Sequence, residues 1–125
     1  MNKKDLIELI KTLKIDIEDF TVLSSGALVL REIHDMANDL DIAVSKKGLE
    51  QLKLQFYLTQ KENGWYIVND KIECVLDNML DKREKLDGYY LQDINDYLKY
   101  LEESNREKDK IRIPKVKKYI KNKLK

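Results

Sequence analysis

Two carboxylates stand one residue apart in Asn38-Asp39-Leu40-Asp41-Ile42-Ala43-Val44, and Ser25 lies fourteen residues before Asp39, in Val22-Leu23-Ser24-Ser25-Gly26-Ala27-Leu28. Leu40, Ile42 and Val44 alternate around Asp41, the pattern of a half-buried strand, in which residues i and i+2 project from the same face. Asp39 and Asp41 then form a dicarboxylate rather than part of a salt-bridged surface. Like charges held that close repel unless a cation lies between them, and ligands that are all oxygen select hard ions such as magnesium. The chemistry expected of the pair is metal-dependent work on phosphates.

The elements around the pair read as a mixed order. Leu6, Ile10 and Leu13 mark a helix from about 3 to 13. A short strand at 21–24 leads to a helix at 27–33 whose first turn Ser24 or Ser25 can cap. The dicarboxylate strand spans 40–45, and a helix covers 46 to about 54. Two or three strands follow between Phe56 and Leu76, with Glu62-Asn63-Gly64 and Asn69-Asp70 as turns. Tyr89 to Leu91 can form a strand, and Asp93 can cap a helix that buries Ile94, Tyr97, Leu98 and Leu101. Pro114 suits the first turn of a last helix with Ile113, Val116, Ile120 and Leu124 at helical spacing. No repeat or low-complexity tract interrupts this order.

With 125 residues the chain is expected to be one domain, without room for a separate substrate domain. Its core falls at about 15–92 and its C-terminal helical part at about 93–125. Cys74 is the only cysteine, which excludes an intrachain disulfide, and the start has no apolar run of signal or membrane length. A cytoplasmic protein with no membrane partner is therefore expected. Charge is uneven: Arg106 to Lys125 holds ten Lys or Arg against Glu107 and Asp109, a net of +8, which leaves −7 for residues 1–105. Such a basic stretch can mark a polyanion-binding surface, yet its helical apolar stripe also describes an ordinary amphipathic helix with a solvated face.

The stretch from Leu23 to Val44, Leu-Ser-Ser-Gly-Ala-Leu-Val-Leu-Arg-Glu-Ile-His-Asp-Met-Ala-Asn-Asp-Leu-Asp-Ile-Ala-Val, resembles the active-site segment of the nucleotidyltransferase superfamily, the group related to DNA polymerase beta and to aminoglycoside nucleotidyltransferases. It is most similar to small bacterial members, in which a glycine-serine pair closes a strand and opens a helix, and the helix leads back to Asp-x-Asp. Here Ser24 stands at the glycine position and Ser25 at the serine. The resemblance implies an α/β (α+β) fold with a mixed sheet flanked by helices, and C-terminal helices beyond it.

It also implies a third carboxylate on a neighbouring strand, within a hydrophobic-acid-hydrophobic triplet. Ile72-Glu73-Cys74 matches that triplet. Asp77 is the alternative, though it can equally cap a helix over 78–82. By the resemblance, Asp39, Asp41 and Glu73 are metal ligands and catalytic residues, holding Mg²⁺ or Mn²⁺ against a nucleoside triphosphate. Glu73 would also activate an acceptor hydroxyl. Ser24 and Ser25, with the start of the following helix, would hold phosphates. A second, weaker likeness runs from Asp87-Gly88-Tyr89-Tyr90 to Arg106-Glu107-Lys108-Asp109, and adds Lys99 and Lys108 as phosphate contacts, with Asp109 orienting Lys108 or capping a helix.

The implied reaction moves a nucleoside monophosphate to a hydroxyl of a small molecule, RNA or protein. The other class is a catalytically weak or inactive nucleotide-binding regulatory module, such as one half of a toxin–antitoxin pair. Some larger relatives complete their cleft across a dimer, so self-association is expected. Elsewhere plain readings prevail: His34 as a surface polar residue, Cys74 as a buried thiol, and Trp65, Tyr66, Tyr89 and Tyr90 either as packing or as a stacking surface. A calcium loop at 35–41 is excluded, because no glycine occupies its turn and no glutamate closes it.

Overall fold

Asn2 starts the first helix by accepting a hydrogen bond from the backbone N–H of Asp5 at 2.9 Å, while the Asp5 carboxylate returns the favour to the Asn2 N–H. In this computed structural model, which describes residues 1–77 and 82–124, that helix is α1 (Lys3–Lys11). A one-turn 3-10 helix at Ile17–Asp19 leads into β1 (Phe20–Val22), α2 (Ser24–Leu30), β2 (Leu40–Val44) and α3 (Lys46–Gln55). Then come β3 (Thr59–Gln60), β4 (Tyr66–Ile67), β5 (Ile72–Leu76), β6 (Arg83–Leu86) and β7 (Tyr89–Gln92). The chain closes with α4 (Ile94–Glu103) and α5 (Glu107–Lys123). The result is a mixed α/β fold whose single sheet has the order β3-β4-β5-β2-β1-β7-β6.

Side-chain alternation sorts the central strands. Val22, Leu40, Ile42, Val44, Ile72, Cys74 and Leu91 are buried with Leu6, Ile10 and Leu13 of the N-terminal segment, Ala27, Val29 and Leu30 of α2, and Leu49 and Leu52 of α3. Gly26 brings α2 close to the sheet: a Cβ there would stand 3.1 Å from the Val22 side chain. Leu28 points away from that core, into a second cluster with Ile94, Tyr97, Leu101 and Val116. Thus α2 is packed between the sheet and the pair α4–α5.

The sheet is mixed because its two connections differ. Strands β1 and β2 run antiparallel, whereas β2 pairs parallel with β5 and β1 parallel with β7, each after a long crossover. The β6–β7 hairpin turns at Asp87-Gly88, where both residues have positive φ, +52° and +89°. That is the pattern of a type I′ turn.

Several expected boundaries shift. The second helix begins at Ser24 rather than 27, β6 was not expected, and Leu76, although it alternates with the buried Ile72 and Cys74, is 41% exposed on the last rung of β5. Leu124 is exposed rather than part of the buried stripe of the last helix. Pro114 is not in a first turn, because α5 already starts at Glu107. A local network fixes that early start: Ser104 Oγ and Arg106 Nε both donate to Asp109 Oδ2, at 2.6 and 2.7 Å. Pro114 therefore sits in the helix interior, where it supplies no N–H for the carbonyl of Lys110. The helix considered for 78–82 lies largely outside the described residues. Among those residues, no helix is long and apolar enough to cross a membrane.

Candidate active site

The register of β2 against β5 decides the neighbourhood of Asp41. Leu40 pairs with Ile72, Asp41 with Glu73 and Ile42 with Cys74. In parallel strands paired residues project from the same face. The two acids therefore stand side by side on the face opposite the apolar core, in the row next to Ala43 and Val75. Asp77 lies two alternations further along, where its backbone N–H donates to Val44 O at 2.8 Å, and it lines a different cleft. Of the two candidates for third acid, Glu73 is the one beside Asp41.

Asp39 precedes β2 and is exposed. Its proximity is nonetheless felt at Asp41, whose carboxyl is pushed up to about 6, first by burial and then by the charges of Asp39 and Glu73. Two lysines oppose this rise, Lys61 and Lys108. Lys61 Nζ donates to Glu73 Oε1 at 3.0 Å, and with Asn63, Trp65, Asp41 and Glu73 it lines a hollow of about 190 Å³. Lys108, on the first turns of α5, lines a second hollow of about 140 Å³ with Ser25, Asn38, Asp39 and Arg112. Arg112 is held there by donating to the Tyr97 hydroxyl at 3.0 Å.

Ser24 forms the first residue of α2 with a left-handed backbone, φ +50°, which an L side chain adopts only at a cost and glycine adopts freely. Its N–H donates to Gln92 Oε1 at 3.0 Å, tying the start of α2 to the end of β7. Leu23 N–H donates to Asp41 O at 2.9 Å, so the serine turn and the acid strand meet directly. A third cleft, of about 260 Å³, opens over Thr21 and Ala43 between Asp77, Lys82, Arg83, Gln92 and Asp96. Arg83 is fixed in its wall by donating to Glu18 O and Phe20 O, with its guanidinium 3.8 Å from the centre of the Tyr90 ring.

No family model matches the chain, and neither does any curated protein or solved structure. What the site can do therefore rests on its own geometry. Its donors are all oxygens, the type that a hard divalent ion takes, and Asp41 is raised first by burial and then by the charges of Asp39 and Glu73, of which a cation would relieve the second. Among the described residues, no three Asp, Glu, His or Cys side chains are already gathered around one point, and the Glu73 carboxylate is engaged by Lys61.

The residues singled out in the sequence divide accordingly. Asp41 and Glu73 share one hollow near the N-terminal ends of β2 and β5, while Asp39, Ser25 and Lys108 line another. Lys99 is exposed on α4, off the stripe Ile94, Tyr97 and Leu101 that packs inward, and lines neither hollow beside the acids. Asp109 serves the start of α5: burial favours its protonated form, but the bonds from Arg106 and Ser104 outweigh that and hold its carboxyl below the usual range. Cys74 is a buried thiol, pushed up to about 11 by desolvation and by neighbouring Glu73. His34 is half-buried rather than a surface residue, and burial with Lys115 and Arg112 nearby lowers its pKa. Of the aromatics, Trp65 lines the acid hollow, while Tyr66 packs against the core. Lys61, Asn63 and Arg112 were missed. The turn Glu62-Asn63-Gly64 was the available signal for the first two, because a hairpin beside β5 must hang over whatever β5 presents.

Proposed function

We propose that this protein is a metal-dependent nucleotidyltransferase that moves a nucleoside monophosphate from a nucleoside triphosphate to a hydroxyl of an acceptor. The observation that carries the reading is the row Asp41–Glu73 across two parallel strands, with Asp39 one alternation away and Ser25 and Lys108 on its flank. The left-handed backbone of Ser24, at the position where the resembling family has glycine, supports it further. In this reading Asp39, Asp41 and Glu73 hold Mg²⁺ or Mn²⁺, which supplies charge neutralisation at the transferred phosphorus and the departing pyrophosphate. Glu73 accepts the proton of the acceptor hydroxyl. Ser25 and Lys108 hold the phosphates beyond the bond that breaks, and Trp65 offers a flat wall for a base or an acceptor ring. For Glu73 to ligate a metal, Lys61 would have to release it.

That last requirement favours a second reading. A lysine already neutralising Glu73 at 3.0 Å, together with a serine at the strained phosphate turn, suits a regulatory module that binds nucleotide without turning it over. Calorimetric titration of ATP and GTP with and without Mg²⁺ tests what the two readings share. Metal-dependent binding that is lost in Asp41→Asn is the expected result, and equal affinity in both proteins under all conditions would refute it. Transfer of labelled α-phosphate to small molecules, RNA or protein of a cell extract, abolished by Asp39→Ala, separates the enzyme from the module.

A further inference from the structure

Six cations of α5 and its N-cap fall into two sets; of the rest, Lys121 lies on the side of Lys110 without an ion pair among the described residues, and Lys123, near the side of Arg112, is paired with Glu84 at 2.8 Å. Arg106, Lys110 and Lys117 lie on one side of the helix, and each is paired with a carboxylate: Asp109, Glu107 and Glu102. Lys108, Arg112 and Lys115 lie on the other, spaced by four and three residues, a stripe that continues to Tyr119 and Asn122 with Lys118 at its edge. Among the described residues, Lys108, Lys115 and Lys118 form no ion pair, and Arg112 approaches only the buried, already engaged Asp109, at 3.8 Å.

This stripe faces the segment that joins α2 to β2. Its near end is the hollow of Lys108 and Arg112 beside Ser25 and Asp39. Its far end is a hollow of about 350 Å³ lined by Lys115, Lys118, Tyr119 and Asn122 against Glu32 and Ile33. His34 lies between the two and feels both Lys115 and Arg112. The carboxylates along this wall are Glu32, which approaches Lys3 at 3.9 Å, Asp35 and Asp39. From Lys108 to Asn122 the helix rises about 21 Å, longer than a single triphosphate.

We propose that this groove binds one strand of nucleic acid through its phosphates. A single row of cations matches one phosphate chain rather than the two of a duplex, and Tyr119, partly buried against the second core cluster, lines the far hollow, where a base can meet it. A bilayer is the poorer fit. The exposed large apolar residues of α5 and its C-cap, Ile111 and Leu124, lie thirteen positions apart on different faces, so no exposed apolar stripe accompanies the cations. The inference stands apart from the transferase reading, and because Lys108 and Arg112 belong to both, its test uses Lys115 and Lys118.

The measurement is fluorescence anisotropy, without nucleotide or metal, of labelled RNA and DNA oligonucleotides of roughly twelve nucleotides, a length within single-strand site sizes. Binding should weaken steeply with salt. Lys115→Gln/Lys118→Gln should lose roughly tenfold in affinity and flatten the logarithmic salt slope by about 1.4. The control Lys110→Gln/Lys117→Gln changes net charge equally and should lose less than about threefold, thermal melts showing both variants folded. Equal losses in the two variants would mean attraction by net charge alone and overturn the groove. So would a hairpin duplex bound as tightly as the single strand, absence of binding at low salt, or retention on phosphatidylserine vesicles with no oligonucleotide binding. A preference between RNA and DNA names the source of the strand. Failure of nucleotide transfer leaves the result standing, since the assay contains no triphosphate.

Discussion

The two faces of β2 and β5 carry opposite chemistries on alternate residues. One face presents Leu40, Ile42, Ile72 and Cys74, all at most 1% exposed, and the other presents Asp41 and Glu73. A single register produces both. Slipping β5 by one residue would turn Glu73 into the core and Cys74 outward, so burial of the apolar rungs enforces the meeting of the acids. The covered face stabilises the fold, whereas the acid face holds charges that repel one another. Stability gained on one side keeps the crowded acids on the other in place.

The largest effect that separates the faces is expected from Ile42→Ala. It removes a fully buried side chain and should lower unfolding free energy by about 2–5 kcal/mol, read by denaturant titration. Its neighbour Asp41→Asn should do the reverse. Asp41 titrates at about 6 in the folded protein against an ordinary 3.8, so the native state holds the proton more tightly and stability falls as pH rises through that window. Asparagine escapes the penalty and should stabilise the metal-free protein at pH 7 by about 1–2 kcal/mol after allowance for solvent screening. The two melting curves should converge at about pH 4 and below. An Asn variant less stable than wild type at pH 7 would show that burial and the neighbouring acids do not disfavour the charged form of Asp41. The smallest effect sharpens the comparison from outside: Lys61→Gln removes the cation that engages Glu73 and should tighten Mn²⁺ binding by up to about fivefold, measured by calorimetry without nucleotide. Weaker binding in that variant would mean that Lys61 helps the site rather than competing for it.

Alternation made β2 and β5 legible in the sequence, since Leu40-Asp41-Ile42 and Ile72-Glu73-Cys74 each switch polarity at every residue. Asp93 was equally legible as a helix cap: its side chain accepts from Asp96 N–H at 3.0 Å. The strand Arg83-Glu84-Lys85-Leu86 hid behind its charges, because β6 is an edge strand paired only with β7 and need bury little. Its turn, Asp87-Gly88, is the stronger signal, since the dipeptide suits a two-residue hairpin with both residues at positive φ. Pro114 misled because proline reports a constraint on one residue, while the start of α5 was fixed by the Ser104–Arg106–Asp109 network, whose members meet only once the turn is folded. For the same reason no periodicity pointed to Lys61 at Glu73 or to Arg112 beside Asp39. Those contacts join residues from separate elements, and each is defined by packing rather than by spacing.

The parallel pairing of β2 with β5 also sets an order of assembly. In a chain made from its N-terminus, β1 and β2 can zip together early, but Asp41 meets Glu73 only after the intervening crossover has emerged. Lys61, carried on the adjoining hairpin, reaches Glu73 from a neighbouring stretch of the chain, whereas Lys108 and Arg112 reach Asp39 only once the last helix has packed.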